Sequence, residues 1–196
     1  MLSPARLRER FATADAVADE VVEPGAPQEA LMPAAVLIPI VDRDSGLTVL
    51  LTQRTAHLRD HAGQVSFPGG RCETIDATPV DTALREAYEE VGIDPAQVEV
   101  LGRLPDYVTG TGFRVTPVVG LVQPPLDLRL DDFEVADVFE PPLAFLLDAA
   151  NHQRHRIEVR GALREYWAVP WNDRYIWGAT AGMLVSLHRF LHPERA

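Results

Sequence analysis

The feature that most constrains this chain is the segment FPGGRCETIDATPVDTALREAYEEVG, residues 67–92, in which a glycine-rich turn precedes a strongly charged helix. Thr78 is a good N-cap, Pro79 suits the first helical position, and Gly92 supplies a C-terminal stop. Apolar residues at helical spacing predict one buried stripe, formed by Val80, Ala83, Leu84, Ala87 and Val91. The segment therefore predicts a turn followed by an amphipathic helix over residues 79–91.

The charges of this helix raise the question of what neutralises them. Glu86 and Glu90 lie four residues apart on one stripe, and Arg85 and Glu89 form a second such pair beside it. The spacing predicts one ion pair and one pair of carboxylates with no side-chain cation between them. Two interpretations stay open from these residues alone. One is a solvated polar face, as charge runs on helices usually are. The other is an all-oxygen site for Mg²⁺ or Mn²⁺, completed by a backbone carbonyl of the glycine turn.

Composition excludes several classes of protein. The chain has 196 residues, which suits one domain, and a formal net charge of -11 at pH 7, which disfavours nonspecific binding to nucleic acid or anionic lipid. No apolar run approaches the roughly 20 residues of a membrane helix, and the N-terminus lacks the apolar region of a signal peptide. The single cysteine, Cys72, excludes an internal disulfide and fits a reducing compartment. We expect a cytoplasmic protein with no nucleic-acid or membrane partner.

The rest of the chain alternates short apolar segments with turns and shows no domain boundary. A polar amphipathic helix is expected over residues 3–20, followed by a proline-rich connector. Strands are predicted at 34–41, 47–54, 64–67, 98–104, 114–122 and 134–140, with a late hairpin from 155–160 and 165–170. Helices are predicted at 142–148 and 179–191. We therefore expect a single domain over residues 1–196, with 1–33 as N-terminal helix and connector and 34–196 as the catalytic core.

Between residues 70 and 93 the sequence resembles the Nudix box, whose usual form is G-x5-E-x7-R-E-U-x-E-E-x-G-U, where U is aliphatic. The matching residues are Gly70, Arg85, Glu86, Ala87, Glu89, Glu90, Gly92 and Ile93. Asp76 stands where the early glutamate is expected, and one extra residue separates it from Arg85. The resemblance implies an α/β Nudix fold, an α/β/α sandwich with a mixed β-sheet. It also implies metal-dependent hydrolysis of a nucleoside diphosphate derivative.

A second signature precedes the box. Residues 50–70, LLTQRTAHLRDHAGQVSFPGG, are similar to the additional signature of the coenzyme A pyrophosphatase branch, L-L-T-x-R-[ST]-x3-R-x3-G-x3-F-P-G-G, and every specified position is present. The resemblance implies hydrolysis of coenzyme A, and of its derivatives, to 3′,5′-ADP and 4′-phosphopantetheine. A hydrolase for ADP-ribose or another nucleotide, and a nucleotide-sensing module without catalysis, are the alternatives. The retained carboxylates argue against the second alternative.

The resemblance also implies which residues form the site. Glu86, Glu89 and Glu90 are the expected catalytic and metal-binding carboxylates, with Mg²⁺ or Mn²⁺ as the cofactor. Positive charge and close backbone approach for the phosphates are expected from Arg54, Arg59, His61, Gly69, Gly70 and Arg71. The general base stays open among Glu89, Glu134 and Glu140. The sequence leaves the oligomeric state open, a homodimer included.

Overall fold

The structure is a computed structural model that describes residues 2–13, 19–57, 62–159 and 162–193. Its helices are α1 (Pro4–Thr13), α2 (Pro79–Val91), α3 (Leu143–Leu146) and α4 (Ala179–Leu191). Its first strands are β1 (Val21–Val22), β2 (Met32–Arg43), β3 (Gly46–Val49), β4 (Leu51–Arg54), β5 (Val65–Ser66), β6 (Gly69–Arg71) and β7 (Val98–Arg103). The later strands are β8 (Tyr107–Val108), β9 (Phe113–Val122), β10 (Val135–Phe139), β11 (Gln153–Val159), β12 (Ala162–Trp171) and β13 (Arg174–Trp177).

A mixed sheet forms the centre of the molecule. Strands β2 and β9 pair in parallel, and β2 also pairs antiparallel with β3 and, nearer its start, with β6. Strand β9 pairs antiparallel with β7 and β8, and β1 lies at the outer edge of β8. Two smaller antiparallel sheets have the strand orders β10-β4-β5 and β11-β12-β13. The mixed sheet therefore brings β6 and the start of β2 to one edge.

The two faces of the central sheet are both covered. Along β2, Leu37 and Val41 pack in the same apolar cluster as the buried stripe of α2. Ile38 and Ile40 point the other way and pack in a second cluster with the buried side of α4. Because successive side chains of a strand alternate between faces, a strand covered on both faces needs a continuous apolar sequence. The predicted α/β/α sandwich with a mixed sheet is confirmed.

Helix α2 begins and ends where its sequence predicts. The Thr78 hydroxyl accepts a hydrogen bond from the amide of Asp81, and the Asp81 carboxylate accepts one from the amide of Thr78 at 2.8 Å. Gly92 has a φ of 77°, in the left-handed region, and its amide bonds to the carbonyls of Ala87 and Tyr88. The helix is therefore fixed at both ends by local contacts.

Two predictions near the glycine turn are wrong. Gly69 and Gly70 belong to strand β6 rather than to a turn, since Gly70 pairs with Ala35 of β2. The single strand predicted over residues 47–54 is interrupted at Leu50, whose amide bonds to the carbonyl of Pro39 and whose side chain is fully buried. At Leu50 the chain leaves the central sheet, which contains β3, and enters the β10-β4-β5 sheet.

Two further differences lie at the ends of the chain. Helix α1 ends at Thr13, and residues 19 and 20 are not helical, so the predicted end at residue 20 is wrong; residues 14–18 lie outside the described part. Strand β13 was not predicted; it pairs with β12 as the third strand of the sheet that contains the predicted late hairpin. Among the described residues, no helix is both long and apolar enough to cross a membrane.

The capping box of α2 yields a stability prediction. Thr78→Ala removes the side-chain acceptor at the N-terminus of α2 and should lower the free energy of unfolding by about 1 kcal/mol in urea titration. Thr13→Ala is the matched control, because the Thr13 hydroxyl bonds only to carbonyls within α1 and is exposed. An equal loss in both variants would contradict the role given to the cap.

Candidate active site

Helix α2 carries its carboxylates into the protein because its apolar stripe packs on the sheet. Ala83, Ala87 and Val91 are fully buried, and Glu90 lies beside this stripe with 4% of its surface exposed. Glu86 is one turn earlier on the same side, with 17% of its side chain exposed. Burial of the stripe therefore places two carboxylates of neighbouring turns at the edge where α2 meets strand β6.

The surroundings of Glu90 are polar only at a few points. Its Oε2 accepts a hydrogen bond from the Gly69 amide at 3.2 Å, and its Oε1 lies 3.7 Å from Nη1 of Arg54. Burial raises the pKa of Glu90 to about 8, with smaller contributions from the charges of Glu134 and Glu86; the Gly69 amide and Arg54 oppose the rise. Additional positive charge beside Glu90 would stabilise its ionised form.

Glu86 lies directly against the backbone of β6. A Cβ atom on Gly70 would be 2.5 Å from Cδ of Glu86, so any larger residue at position 70 would displace this carboxylate. Burial is the main cause of the raised pKa of Glu86, and a hydrogen bond from Arg85 lowers it in part. Glycine at position 70 therefore lets the carboxylate and the strand backbone approach each other closely.

Arg85 connects α2 to the loop that precedes it. Its Nε and Nη2 donate to the two oxygens of Asp76 at 3.0 and 2.9 Å. Its Nη1 donates to both Glu86 and Glu89 at 2.9 Å. The predicted pair between Arg85 and Glu89 is confirmed. The other predicted pair, Glu86 and Glu90, has no bridging cation among the described residues, but Arg85 also contacts Glu86. The exposure of the Glu89 side chain is 56%, which leaves most of its surface in solvent.

Asp76 takes the role of the early acid of the motif, and its side chain is 4% exposed. Besides Arg85, it accepts hydrogen bonds from the Thr82 hydroxyl and the Glu73 amide, both at 2.9 Å. The Arg85 guanidinium is the main cause that holds the pKa of Asp76 well below its usual range. Asp76 therefore fixes the position of Arg85 and, through it, that of two glutamates.

Arg54 approaches the carboxylates from the end of strand β4. Its Nη2 lies 3.5 Å from Oε2 of Glu134, which immediately precedes β10. Glu140 follows the opposite end of β10, where it pairs with Arg43 and accepts a hydrogen bond from Thr48 at 2.8 Å. Glu134 is therefore near Glu90, whereas Glu140 is held at the other end of the strand.

Arg71 is the last residue of strand β6, and Cys72 follows it. Arg71 is exposed, its guanidinium lies 5.5 Å from the centre of the Phe113 ring, and it has no ion pair with any residue that the structure describes. Cys72 is half-buried and its amide donates to the Pro33 carbonyl at 3.1 Å. Arg59 and His61 lie outside the described residues.

The donors at this edge fit a hard divalent cation. Glu86 and Glu90 supply carboxylate oxygens, which Mg²⁺ and Mn²⁺ prefer. Burial, which raises the pKa of Glu90 to about 8, disfavours the ionised form of this carboxyl unless a positive charge lies close to it. Within residues 2–13, 19–57, 62–159 and 162–193, no three Asp, Glu, His or Cys side chains are grouped closely enough to hold a metal ion by themselves. Among the described residues, the fit thus rests on the carboxylates of Glu86 and Glu90.

Comparisons with known proteins agree with this architecture. The model of the NUDIX domain family matches residues 31–160. A protein of Escherichia coli strain K12 named "Uncharacterized Nudix hydrolase NudL" is 49% identical over 155 residues, which cover 79% of this chain and 80% of that protein. A protein of the same name from Shigella boydii serotype 18 shows the same identity and coverage. The crystal structure of a MutT/nudix family protein from Enterococcus faecalis is similar to this structure, with a TM-score of 0.51 at 15% sequence identity. The matched region covers 96% of this chain and 74% of the Enterococcus protein, and the likeness supports the fold.

The buried pair of Asp76 and Arg85 makes stability depend on pH. The pKa of Asp76 is lower in the folded protein than in the unfolded chain, so its stabilising effect is present above about pH 4 and is lost as the pH falls further. Asp76→Asn should lower the free energy of unfolding by about 3 kcal/mol at pH 7. The difference from the unsubstituted protein should shrink in urea titrations below pH 4.

Glu99→Gln is the matched control, because Glu99 forms a two-point pair with Arg8 in which both side chains are nearly half exposed. We expect a loss below about 1 kcal/mol there. A loss at Asp76 no larger than at Glu99 would contradict the central role of the buried pair.

Proposed function

Because this chain belongs to the Nudix hydrolase family, we propose that its substrate is coenzyme A or a coenzyme A derivative, which it hydrolyses at the diphosphate. The products are then 3′,5′-ADP and 4′-phosphopantetheine. The observation that carries this proposal is the complete signature over residues 50–70. The same segment runs through β4 and β5 into β6, so it delivers Arg54, Gly69 and Gly70 to the carboxylates of α2.

Glu86 and Glu90 would hold the divalent metal ion, and Glu89 remains a candidate third ligand. When bound, such an ion neutralises phosphate oxygens and lowers the pKa of a coordinated water. The protein's own contribution is to keep both carboxylates against the backbone of β6, with the Gly69 amide donating to Glu90. This arrangement supports binding of the diphosphate beside strand β6.

Glu134 is the best candidate for the base that accepts the proton of the attacking water. It lies next to Arg54 at the edge of the site, and 42% of its side chain is exposed. Glu140 is engaged by Arg43 and Thr48 at the other end of β10, and Glu89 is bonded to Arg85. Glu134 also has an arginine partner, but Arg54 lies 3.5 Å from it, whereas Arg85 donates to Glu89 at 2.9 Å. Its position and its looser pairing thus favour Glu134 over the other two candidates.

Arg71 is the best described candidate for binding the 3′-phosphate. It is exposed beside β6, and no ion pair with the described residues uses its charge. Arg59, a specified position of the signature, and His61, two residues further along the chain, join it as proposed phosphate contacts. Arg54, in contrast, lies between the carboxylates of Glu90 and Glu134, which suits a role at the diphosphate.

The carboxylate assignment predicts a graded loss of activity. Glu86→Gln and Glu90→Gln keep the side-chain shape and remove the charge, so kcat should fall by roughly two to three orders of magnitude. Glu134→Gln should lower kcat by roughly two orders of magnitude, the usual scale for loss of a general base. Release of 3′,5′-ADP is measured at saturating Mg²⁺ and, separately, at saturating Mn²⁺.

Glu140→Gln is the control for these variants. It also removes a carboxylate next to β10, but one that pairs with Arg43 at the end of the strand away from Glu90. Its kcat should stay near that of the unsubstituted protein, with folding checked by circular dichroism. Near-normal turnover in Glu86→Gln or Glu90→Gln would contradict the assignment of that residue.

The substrate assignment predicts a preference for the 3′-phosphate. Loss of one hydrogen bond to a charged group costs about 1.5–3 kcal/mol, which corresponds to one to two decades in kcat/KM. Coenzyme A should be preferred over its 3′-dephospho form by that factor, and Arg71→Gln or Arg59→Gln should shrink the preference. Arg114→Gln is the control, since Arg114 is nearby but pairs with Glu20 at 3.3 Å.

A panel of diphosphate metabolites decides between the proposed substrate and its alternatives. Equal efficiency on the two forms of coenzyme A would mean that the 3′-phosphate is not recognised. Faster hydrolysis of ADP-ribose or of a dinucleoside polyphosphate would overturn the coenzyme A assignment. No hydrolysis of any member, together with nucleotide binding, would favour a sensing module.

A further inference from the structure

Arg54 and Arg85 both contact the glutamates of α2, but they are held very differently. All three guanidinium nitrogens of Arg85 donate to oxygen atoms between 2.9 and 3.2 Å away. Among the described residues, Arg54 contacts two carboxylates, and both distances are long, 3.7 Å to Glu90 and 3.5 Å to Glu134. Charge-assisted hydrogen bonds are usually near 2.7–2.9 Å. Arg54 is therefore near two carboxylates without being bonded closely to either.

The Nε atom of Arg54 adds a second observation. It is buried and has no hydrogen-bond partner among the described residues, although burial of an unpaired donor is unfavourable. The Arg54 side chain as a whole is 22% exposed, so part of it faces solvent. An arginine that leaves a buried donor unsatisfied is held mainly by the charges around it, and a change in those charges should move it.

From this geometry we propose that Arg54 is an internal counterion for Glu90, which leaves Glu90 when the metal ion binds and remains paired with Glu134. In the metal-free protein, Arg54 supplies the positive charge that the buried Glu90 carboxylate requires. A divalent ion on Glu90 supplies that charge and repels the guanidinium. Glu134, at 42% exposure, is a carboxylate to which Arg54 is already adjacent.

This inference rests on the proposed metal site at Glu86 and Glu90. A counterion role and a purely structural role for Arg54 predict different effects of its removal on metal binding. A structural role for Arg54 means that its removal weakens metal binding or leaves it unchanged. A counterion competes with the metal ion, so its removal should strengthen metal binding. The sign of the change in metal affinity therefore separates the two roles.

The experiment measures Mn²⁺ binding by the loss of the electron paramagnetic resonance signal of free Mn²⁺, in unsubstituted protein, Arg54→Gln and Glu86→Gln. Arg54→Gln should bind Mn²⁺ more tightly, on the order of tenfold. Its melting temperature should fall in the presence of a chelator and recover largely at saturating Mn²⁺, because the metal ion replaces the missing charge. Glu86→Gln should bind Mn²⁺ more weakly.

Arg43→Gln is the matched control, since it removes an arginine that pairs with Glu140 at the far end of β10. It should lower the melting temperature equally with and without Mn²⁺ and leave the Mn²⁺ affinity unchanged. If Arg54→Gln does not fold even with Mn²⁺, the same Mn²⁺ titration is made with Arg54→Lys. An ammonium group spans the two carboxylates less well than a guanidinium, so Arg54→Lys should also bind Mn²⁺ more tightly.

The outcomes separate this inference from the proposed function. Unchanged or weaker Mn²⁺ binding on removal of the Arg54 guanidinium, together with weaker binding in Glu86→Gln, overturns the counterion role and leaves the metal site intact. Unchanged Mn²⁺ binding in Glu86→Gln overturns the metal site and the counterion role together. Tighter binding in the Arg54 variants and weaker binding in Glu86→Gln support both.

Discussion

The close approach of helix α2 to strand β6 is the constraint on which the site depends. A Cβ atom at Gly69 would be 2.5 Å from the carbonyl oxygen of Ala35 in β2, and one at Gly70 would be 2.5 Å from the Glu86 carboxylate. The same two glycines pair with β2, and the Gly69 amide bonds to Glu90. Strand pairing and carboxylate position are therefore coupled, because both require a bare backbone at the same two residues.

Burying carboxylates in a protein with a net charge of -11 requires local compensation, and two arginines provide it in different ways. Arg85 is fully bonded and links the loop to the helix, so it stabilises one arrangement of Asp76 and Glu86. Arg54 is placed more loosely and balances charge without fixing geometry. Under the proposed function, the site accepts a divalent cation and a polyanionic substrate, and one rigid and one adjustable positive group suit that combination.

An element of this fold could be predicted from the sequence where the residues that determine it are close together in the chain. The ends of α2 were predictable because Thr78 and Gly92 act within one turn of the helix. The continuous apolar sequence of β2 was predictable as a strand because helices cover both of its faces. Strand β6 was not, since glycine has little preference for strands and the segment is a strand through its pairing with residues 34–36 of β2. The interruption at Leu50 likewise depends on a distant partner, the carbonyl of Pro39.

The early acid shows why spacing in sequence and position in space can differ within one motif. Residues of a helix have fixed spacing, so the pattern around Arg85 must match the family residue by residue. The loop before it has no such restriction. Its chain folds back on itself, with the Asp76 amide bonded to the Glu73 carbonyl at 3.1 Å and the Glu73 amide bonded to Asp76. The two-point pair with Arg85 sets where the carboxylate lies. The position of Asp76 therefore depends on this turn and on its bond to Arg85, and not on a helical repeat, which is why a departure in spacing before the helix still leaves the acid bonded to Arg85.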